Sequence, residues 1–466
     1  MIEVGEGKEY KTIGAAISAA QPGDVVGVLP GIYSESVNVN KAITLRGHDG
    51  AIVDGGWDGK TKTSTFAPTL GITADGATVE GLAVRNCPGR GIAVNASRVT
   101  VRGCTAENCY KGGLGANPPG GQFYEGLLIE VNLILNVGLE RLVTGGGSVN
   151  GSLLFTDVRD SLIRGNTVVG GLGEGINVDR NSRGCVFVAN TVINCAHAGI
   201  YVNCAQENVI RGNVVIYSGA KKPVGKKDDA PAGILIGDEG QSRQSFEKSR
   251  GNEISGNIVV GCSPLFQVRN NATNYSTTLD EDTSIYNNTF VAGPLTLRGV
   301  DMAENVQGAP HRAGHFFDNA IDMTGATADA VIAARTTAAV DCHHNAWSAN
   351  PTKDVRGEGD VIGPLGLVNP TAALGQEWGV VDVGYDVENY RPAPGSALIG
   401  AASDGGVIGA LLPLPVEPPP DPGPDLSAVV LRLKEVAANL AAAGTLIGGA
   451  ALDIDDILQM LEGGNE

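Results

Sequence analysis

Glu174 and Asp179 stand near the two ends of GLGEGINVDR (171–180), with an apolar-polar alternation between them. Glycoside hydrolysis uses two carboxyl groups held about 5 to 9.5 Å apart across the scissile bond. Five residues of extended chain at about 3.3 Å each put these two roughly 16 Å apart, so they are not a dyad with each other. Glu174 therefore reads as a turn residue, and Asp179 needs a partner from elsewhere; Asp238 and Glu239 are the nearest candidates. Elimination from an acidic sugar requires instead a base and a means of neutralising the sugar carboxylate. Lys226, Lys227 or Arg269 could be that base, with Arg243 beside them. Asp179, Asp238 and Glu239 could hold calcium in such a lyase; no other cofactor is called for. The competing reading makes all of these solvated turn acids and loop cations.

Other reactive residue types carry less. His311, His315, His343 and His344 could be drawn as metal ligands, but a histidine-rich surface corner explains them without a metal. Trp57, Trp347 and Trp378 could stack on sugars, yet they are scattered along the chain.

A repeat positions the candidate residues. TVEGLAVRNC, TVRGCTAENC, LIEVNLILNV, LIRGNTVVGG, VFVANTVINC, VIRGNVVIYS, EISGNIVVGC and SIYNNTFVAG share one shape and place Leu82, Cys104, Asn132, Asn166, Asn190, Asn213, Asn257 and Asn288 at one position. The steps run from 22 to 44 residues, a short period lengthened by loop insertions, as in solenoids. Apolar residues alternate within each unit, which specifies strands, and Asn at a recurring corner suits a left-handed bend with stacked amides. A second strand family, GIAV, GINV, GIYV and GILI, supplies another side of each coil. There is no room for crossover helices, so the expected fold is all-β, a single-stranded right-handed parallel β-helix.

In that fold Ile176 and Val178 point inward, and a column of outward residues follows on successive rungs: Asn177 and Asp179, Tyr201 and Asn203, Leu235 and Gly237, then Gln267 and Arg269. Insertions at 219–232 and 238–252 flank this face and predict a trough. Asn177, Asp179, Tyr201, Asn203, Arg243, Gln267 and Arg269 are its expected glycan contacts. Cys87, Cys109, Cys195 and Cys262 share a column with Val137, Gly171 and Ser218, which reads as interior packing rather than disulfides or zinc.

Near the start, Ile13, Ala16, Ile17 and Ala20 form an apolar helical face able to cover the first rung, and QPGDVVGVLPGIYSESVNVNKAITLRG begins the strands. This opening, the GI and GN repeats to about residue 300, and YRPAPGSALIGAASDGGVIGA (390–410) resemble the pectate-lyase-like right-handed β-helix superfamily. The resemblance implies polysaccharide bound along an exposed strand face; it does not imply one reaction, because the superfamily hosts lyases, hydrolases, epimerases, esterases and binders. The acid clusters and Gly-His-Gly of polygalacturonase-like members are missing, as is the Asp-Phe-Ile-Phe-Gly of pectin esterases. Residues 1–411 are assigned to the β-helix, with 1–23 as cap and 301–411 as irregular late rungs and closure.

PLPVEPPPDPGPD then marks a stiff linker over 412–425. In the tail, 426–466, Leu426, Val430, Leu433, Ala437, Leu440, Gly444 and Ile447 follow alternating steps of four and three, and Leu426, Val430, Leu433, Leu440 and Ile447 form an apolar helical stripe suited to self-association, with a trimer favoured, or to docking on a larger particle. The net charge of −18 argues against nucleic acid as a partner. No apolar run approaches the length of a membrane span and no leader pattern is visible. These features together predict a surface spike or decoration protein of a bacteriophage-type particle, made in the host cytoplasm and displayed on the virion, whose body binds cell-surface polysaccharide. A secreted lyase or hydrolase of an acidic glycan that has lost its leader, and a purely structural solenoid, are the alternatives.

Overall fold

The computed structural model describes residues 1–146, 151–225, 229–239, 247–271, 275–276, 279–280, 282–302, 311–334, 339–351 and 355–410. Among the described residues, three long parallel sheets of 13, 13 and 11 strands run along the body, and a regular turn of the chain contributes one strand to each. On one turn the chain passes from Leu162–Arg164 in the first sheet to Thr167–Val169 in the second and Ile176–Asp179 in the third. In-register pairing stacks like on like: Ile163 pairs with Phe187 and Ile129, and Ile176 with Leu153 and Ile200. These side chains are fully buried, and the core is one continuous apolar column. The expected fold is the observed one, a right-handed parallel β-helix.

The repeated asparagines lie between the first and second sheets and form a ladder. The Asn166 side-chain oxygen accepts from both the backbone N–H (3.0 Å) and the side-chain amide (2.9 Å) of Asn132, while the Asn166 amide donates to Ile129 O at 2.9 Å. The pattern continues through Asn190, Asn213, Asn257 and Asn288, and then through Asn319 and Asn345. Each buried amide thus satisfies a backbone N–H and a backbone carbonyl of the preceding rung. The left-handed residue at this corner is not the asparagine but the one before it: Gly165, Ala189, Gly212 and Gly256 have φ of 60°, 53°, 60° and 62°. Val131 holds the same place at φ 55°, where a β-branched side chain is strained.

Residues beyond 301 look irregular in sequence, yet His315–Phe317, Ala320–Asp322, Asp341–His343, Ala346–Trp347 and Val361–Ile362 extend the first and second sheets in register. Among the described residues, the last strand of the third sheet is Val331–Ala334. The chain then doubles back. Leu365, Leu367, Val383, Tyr390, Leu398 and Ile408 pack against Val169, Ile193, Ile216, Val260 and Val291 and cover the outer face of the second sheet. Asp318 anchors this wrap by accepting from Ser403 N at 2.7 Å, and Trp378 Nε1 donates to Gly170 O at 3.2 Å. The segment read as a closure of the solenoid's end is therefore a cover along its flank, because the second sheet's outer face is apolar and needs burial.

At the opposite end, helix Ile13–Ala19 buries Ile13, Ala16 and Ile17 over the first rung, with Thr12 as its N-cap and the Glu35 carboxylate accepting from Ile13 N and Gly14 N at 2.8 and 3.0 Å. The cysteine column is interior as expected: Cys87 pairs in register with Cys109, and all eight thiols are free. The linker and the tail stripe through Leu426, Val430, Leu433, Leu440 and Ile447 lie outside the described residues, as does the helical character assigned to them. No helix among the described residues is long and apolar enough to cross a membrane.

Candidate functional site

The three outer faces differ in what they leave available. On the first sheet, Arg46, Glu80, Arg102, Glu130 and Arg164 alternate in sign on successive rungs, with Arg102 Nε 3.4 Å and Arg164 Nη2 2.6 Å from Glu130. Glu80 lies between Arg46 and Arg102, so this face neutralises itself. The wrap covers the second face. The third carries the expected column, in the expected register: Asn177 pairs with Tyr201, Tyr201 with Leu235, and Leu235 with Gln267.

Much of that column is buried rather than open. Asn177, Tyr201, Asn203 and Leu235 are 8%, 2%, 6% and 2% exposed. Residues after the strand ends lie over it: Glu239 N donates to the Asn203 side chain at 2.9 Å, Tyr201 OH donates to Glu239 Oε1 at 3.2 Å, and Gln206 Nε2 donates to Glu247 O at 3.2 Å. The candidate acids are part of this packing. Asp179 accepts from Asn203 Nδ2 at 2.7 Å and from Arg180 Nε at 2.8 Å, yet burial still holds its carboxyl above the usual range. Asp238 accepts from Ser249 N at 2.8 Å, and burial pushes its carboxyl up to about 6. The Cys204 thiol, raised to about 12 by burial, also feels Asp238, Asp179 and Glu239. The Asn203 side chain bridges Asp179 and Glu239, and this buried network orders the strand ends. No group of three or more His, Cys, Asp or Glu side chains among the described residues is arranged to hold a metal ion.

The opening on this face lies toward the turns that lead into the third sheet. A pocket of ≈ 410 Å³ is lined by Arg141, His197, Lys222, Leu235, Gln267 and Arg269 together with Asp229 and the segment 230–232. Gln267 and Arg269 are the expected site residues that reach it. Lys226, Lys227 and Arg243 lie outside the described residues. Arg141 comes from a short helix, Glu140–Thr144, inserted between the second and third sheets; its Nη1 donates to Leu172 O at 2.5 Å. The 34-residue step between Asn132 and Asn166 is the signal that locates this insertion.

His197 sits one residue before strand Ala198–Asn203, its Nδ1 3.1 Å from Oε1 of Glu174 on the preceding rung. Glu174 is only 4% exposed, so it is not an ordinary solvated turn acid: the rung spacing places it beneath His197. Sequence periodicity assigns both to turns but does not show that the two turns are stacked. His311 is likewise no surface corner; it is 2% exposed, and its Nδ1 accepts from Leu279 N at 3.1 Å. His343 stacks on Phe317 at 5.0 Å, His344 Nδ1 lies 3.1 Å from His343 Nδ1, and His315 is 3.5 Å from Asp341. Trp347 is buried and donates to Asp360 at 3.0 Å, while Trp57 donates to Thr61 O at 2.8 Å.

Residues 49–242 match the family model described as the right-handed beta helix region. No curated protein matches the sequence. Among solved structures, the chain is similar to the pectate lyase Pel9A, at 15% identity over 86% of this chain and 91% of that one, with a TM-score of 0.46. It is also similar to the tailspike protein of E. coli bacteriophage HK620, at 10% identity over 73% of this chain and 60% of that one, TM-score 0.48. A third similar structure is endopolygalacturonase I from Stereum purpureum, at 12% identity over 69% and 95%, TM-score 0.47.

Proposed function

We propose that this chain, which has the pectate-lyase-like right-handed parallel β-helix fold, binds an acidic cell-surface polysaccharide in the pocket beside its third sheet. The observation that carries the reading is the sign of the pocket. In a chain of net charge −18, Arg141, Lys222 and Arg269 line one cavity together with His197, against a single lining acid among the described residues, Asp229. A local cation excess in an acidic protein concentrates anionic ligands and repels the protein's own kind. Guanidinium groups match carboxylates with paired N–H donors, and Gln267 adds polar contacts for hydroxyls. The first face is self-neutralised and the second is covered, so neither competes as a site.

The body would present this pocket from a bacteriophage-type particle as a spike or decoration protein, with the tail stripe assembling it, as a trimer, or anchoring it. The composition change at 412–425 and the heptad-like stripe after it support that arrangement. Calcium would enter only if Asp179, Asp238 and Glu239 rearranged, because their present contacts are to Asn203, Arg180, Tyr201 and Ser249.

Titration calorimetry with matched acidic and neutral bacterial polysaccharides tests the binding reading. Acidic polymers are expected to bind, and Arg141→Ala with Arg269→Ala to weaken them at least tenfold. Equal binding of neutral polymers, unaffected by both substitutions, would sink it.

A further inference from the structure

We infer that His343 and His344 are the imidazole ligands of a divalent transition-metal site at the late end of the solenoid, completed by Glu358 and standing apart from the third face. The two Nδ1 atoms lie 3.1 Å from each other. Nitrogens at that separation, each about 2.05 Å from a shared ion, subtend an angle of about 98° at the metal. This falls between the square and tetrahedral values that Cu²⁺, Ni²⁺ and Zn²⁺ take with imidazole.

Both rings are held in this convergent orientation by the fold itself. His343 stacks on Phe317, with centroids 5.0 Å apart and planes 16° from parallel, and Phe317 stacks in turn on Tyr286. His344 has a left-handed backbone, φ 51°, and lays one ring edge on Gly359, where an added β-carbon would be 2.3 Å from Cδ2 and 2.4 Å from Nε2. The opposite edge, which carries Nδ1, is thereby turned to His343. Ligands fixed in advance lose little freedom on binding.

The loop that supplies Gly359 also ends the asparagine ladder. Asn345 N donates to Asp360 Oδ1 at 2.9 Å, as Asn319 N donates to the amide oxygen of Asn345 one rung earlier. Asp360 Oδ2 accepts from Trp347 Nε1 at 3.0 Å and Gly357 N at 3.1 Å, so its carboxylate is engaged. Asp318 is held by Ser403, and Asp341 faces His315 at 3.5 Å. Glu358 is the acid of this loop left to turn toward the pair: its backbone O accepts from His344 N at 2.8 Å and its side chain is exposed. Cys342 points the other way, paired in register with buried Phe316, and burial pushes its thiol up to about 12. The donor set is therefore nitrogen and oxygen. An ion held there ties the last asparagine rung to the loop that closes it, so metal binding is also stabilisation of that end.

The full-length protein, washed with a chelator, is titrated with Zn²⁺ by calorimetry and melted with and without the ion; Cu²⁺ is followed by electron paramagnetic resonance. Wild type is expected to bind one Zn²⁺ saturably and to melt higher with it, and its Cu²⁺ spectrum to carry splitting from two imidazole nitrogens. His343→Phe keeps the ring stack, and His344→Asn places there a residue type that tolerates the left-handed backbone. Each should weaken Zn²⁺ by about tenfold or more and abolish the rise in melting temperature, with metal-free melts close to wild type. Glu358→Gln should weaken Zn²⁺ less, and His315→Gln should leave binding unchanged. No saturable binding, binding that survives both His343→Phe and His344→Asn, or binding lost in His315→Gln overturns the inference and leaves the Nδ1 contact as a hydrogen bond between the rings. Where a variant melts early without metal, the wild-type copper spectrum decides, and fewer than two coordinated nitrogens overturns it.

Discussion

Asp238 shows how burial sets a residue's energetics in this fold. Its carboxyl is pushed up to about 6 by burial from an ordinary value near 3.8. The folded state therefore holds its proton over a window in which the unfolded chain has lost it, so stability present at lower pH declines as pH rises from about 4 to about 6. Asp238→Asn keeps an acceptor for Ser249 N–H and removes the ionisation. Urea melts should show the variant losing less stability than wild type between pH 4 and 7, by on the order of 2 kcal/mol; parallel profiles would contradict the assignment. Val131 offers an opposite case, a strained side chain at a corner filled elsewhere by Gly165, Gly212 and Gly256. Val131→Gly is expected to stabilise the protein by about 1 kcal/mol, read as a raised unfolding midpoint. Residue identity alone reveals Asp179 and Arg269 as polar positions. It does not reveal Glu174 beneath His197, because that contact joins turns on different rungs.

At the scale of elements, the ladder and the strand register are the legible part. Alternation in Ile163–Val169 and Val186–Val192 specifies strands, and the recurring Asn fixes which residues stack. The repeat alone puts the left-handed corner one residue late, since the residue before each Asn takes the bend while the Asn amide serves the backbone of the preceding rung. Removing one rung of the ladder tests this division of labour. Asn190→Ala would leave Asn166 N and Ile163 O without their side-chain partner and take from Asn166 Nδ2 one of its two acceptors, at a cost of about 3 kcal/mol or more. A loss below about 1 kcal/mol would mean that water replaces the amide. The trough is legible as a face and register but not as a shape. Its depth depends on Glu239 and Glu247 lying over Asn203 and Gln206, contacts that carry no periodic signal.

For the whole molecule, the arrangement of the three faces follows from how each disposes of its outer surface. The first pairs its charges along the axis, the second is covered by residues 365–408, and the third keeps a pocket. The cover is illegible in sequence because its apolar residues follow neither strand nor helix spacing; they match the second sheet only in three dimensions. Truncation after Pro364 should expose Val169, Ile193, Ile216 and Val260 and give a protein that aggregates, whereas truncation after Leu412 should leave the body folded and reduce a trimer to monomer by light scattering. The central claim concerns the third face. The most direct test is a crystal structure with a bound acidic oligosaccharide from a polymer that the protein retains. A sugar carboxylate within hydrogen-bond reach of Arg141 or Arg269, with the ring beside His197, is the predicted result; an oligosaccharide seated on the first face, or on the cover of the second, would contradict it.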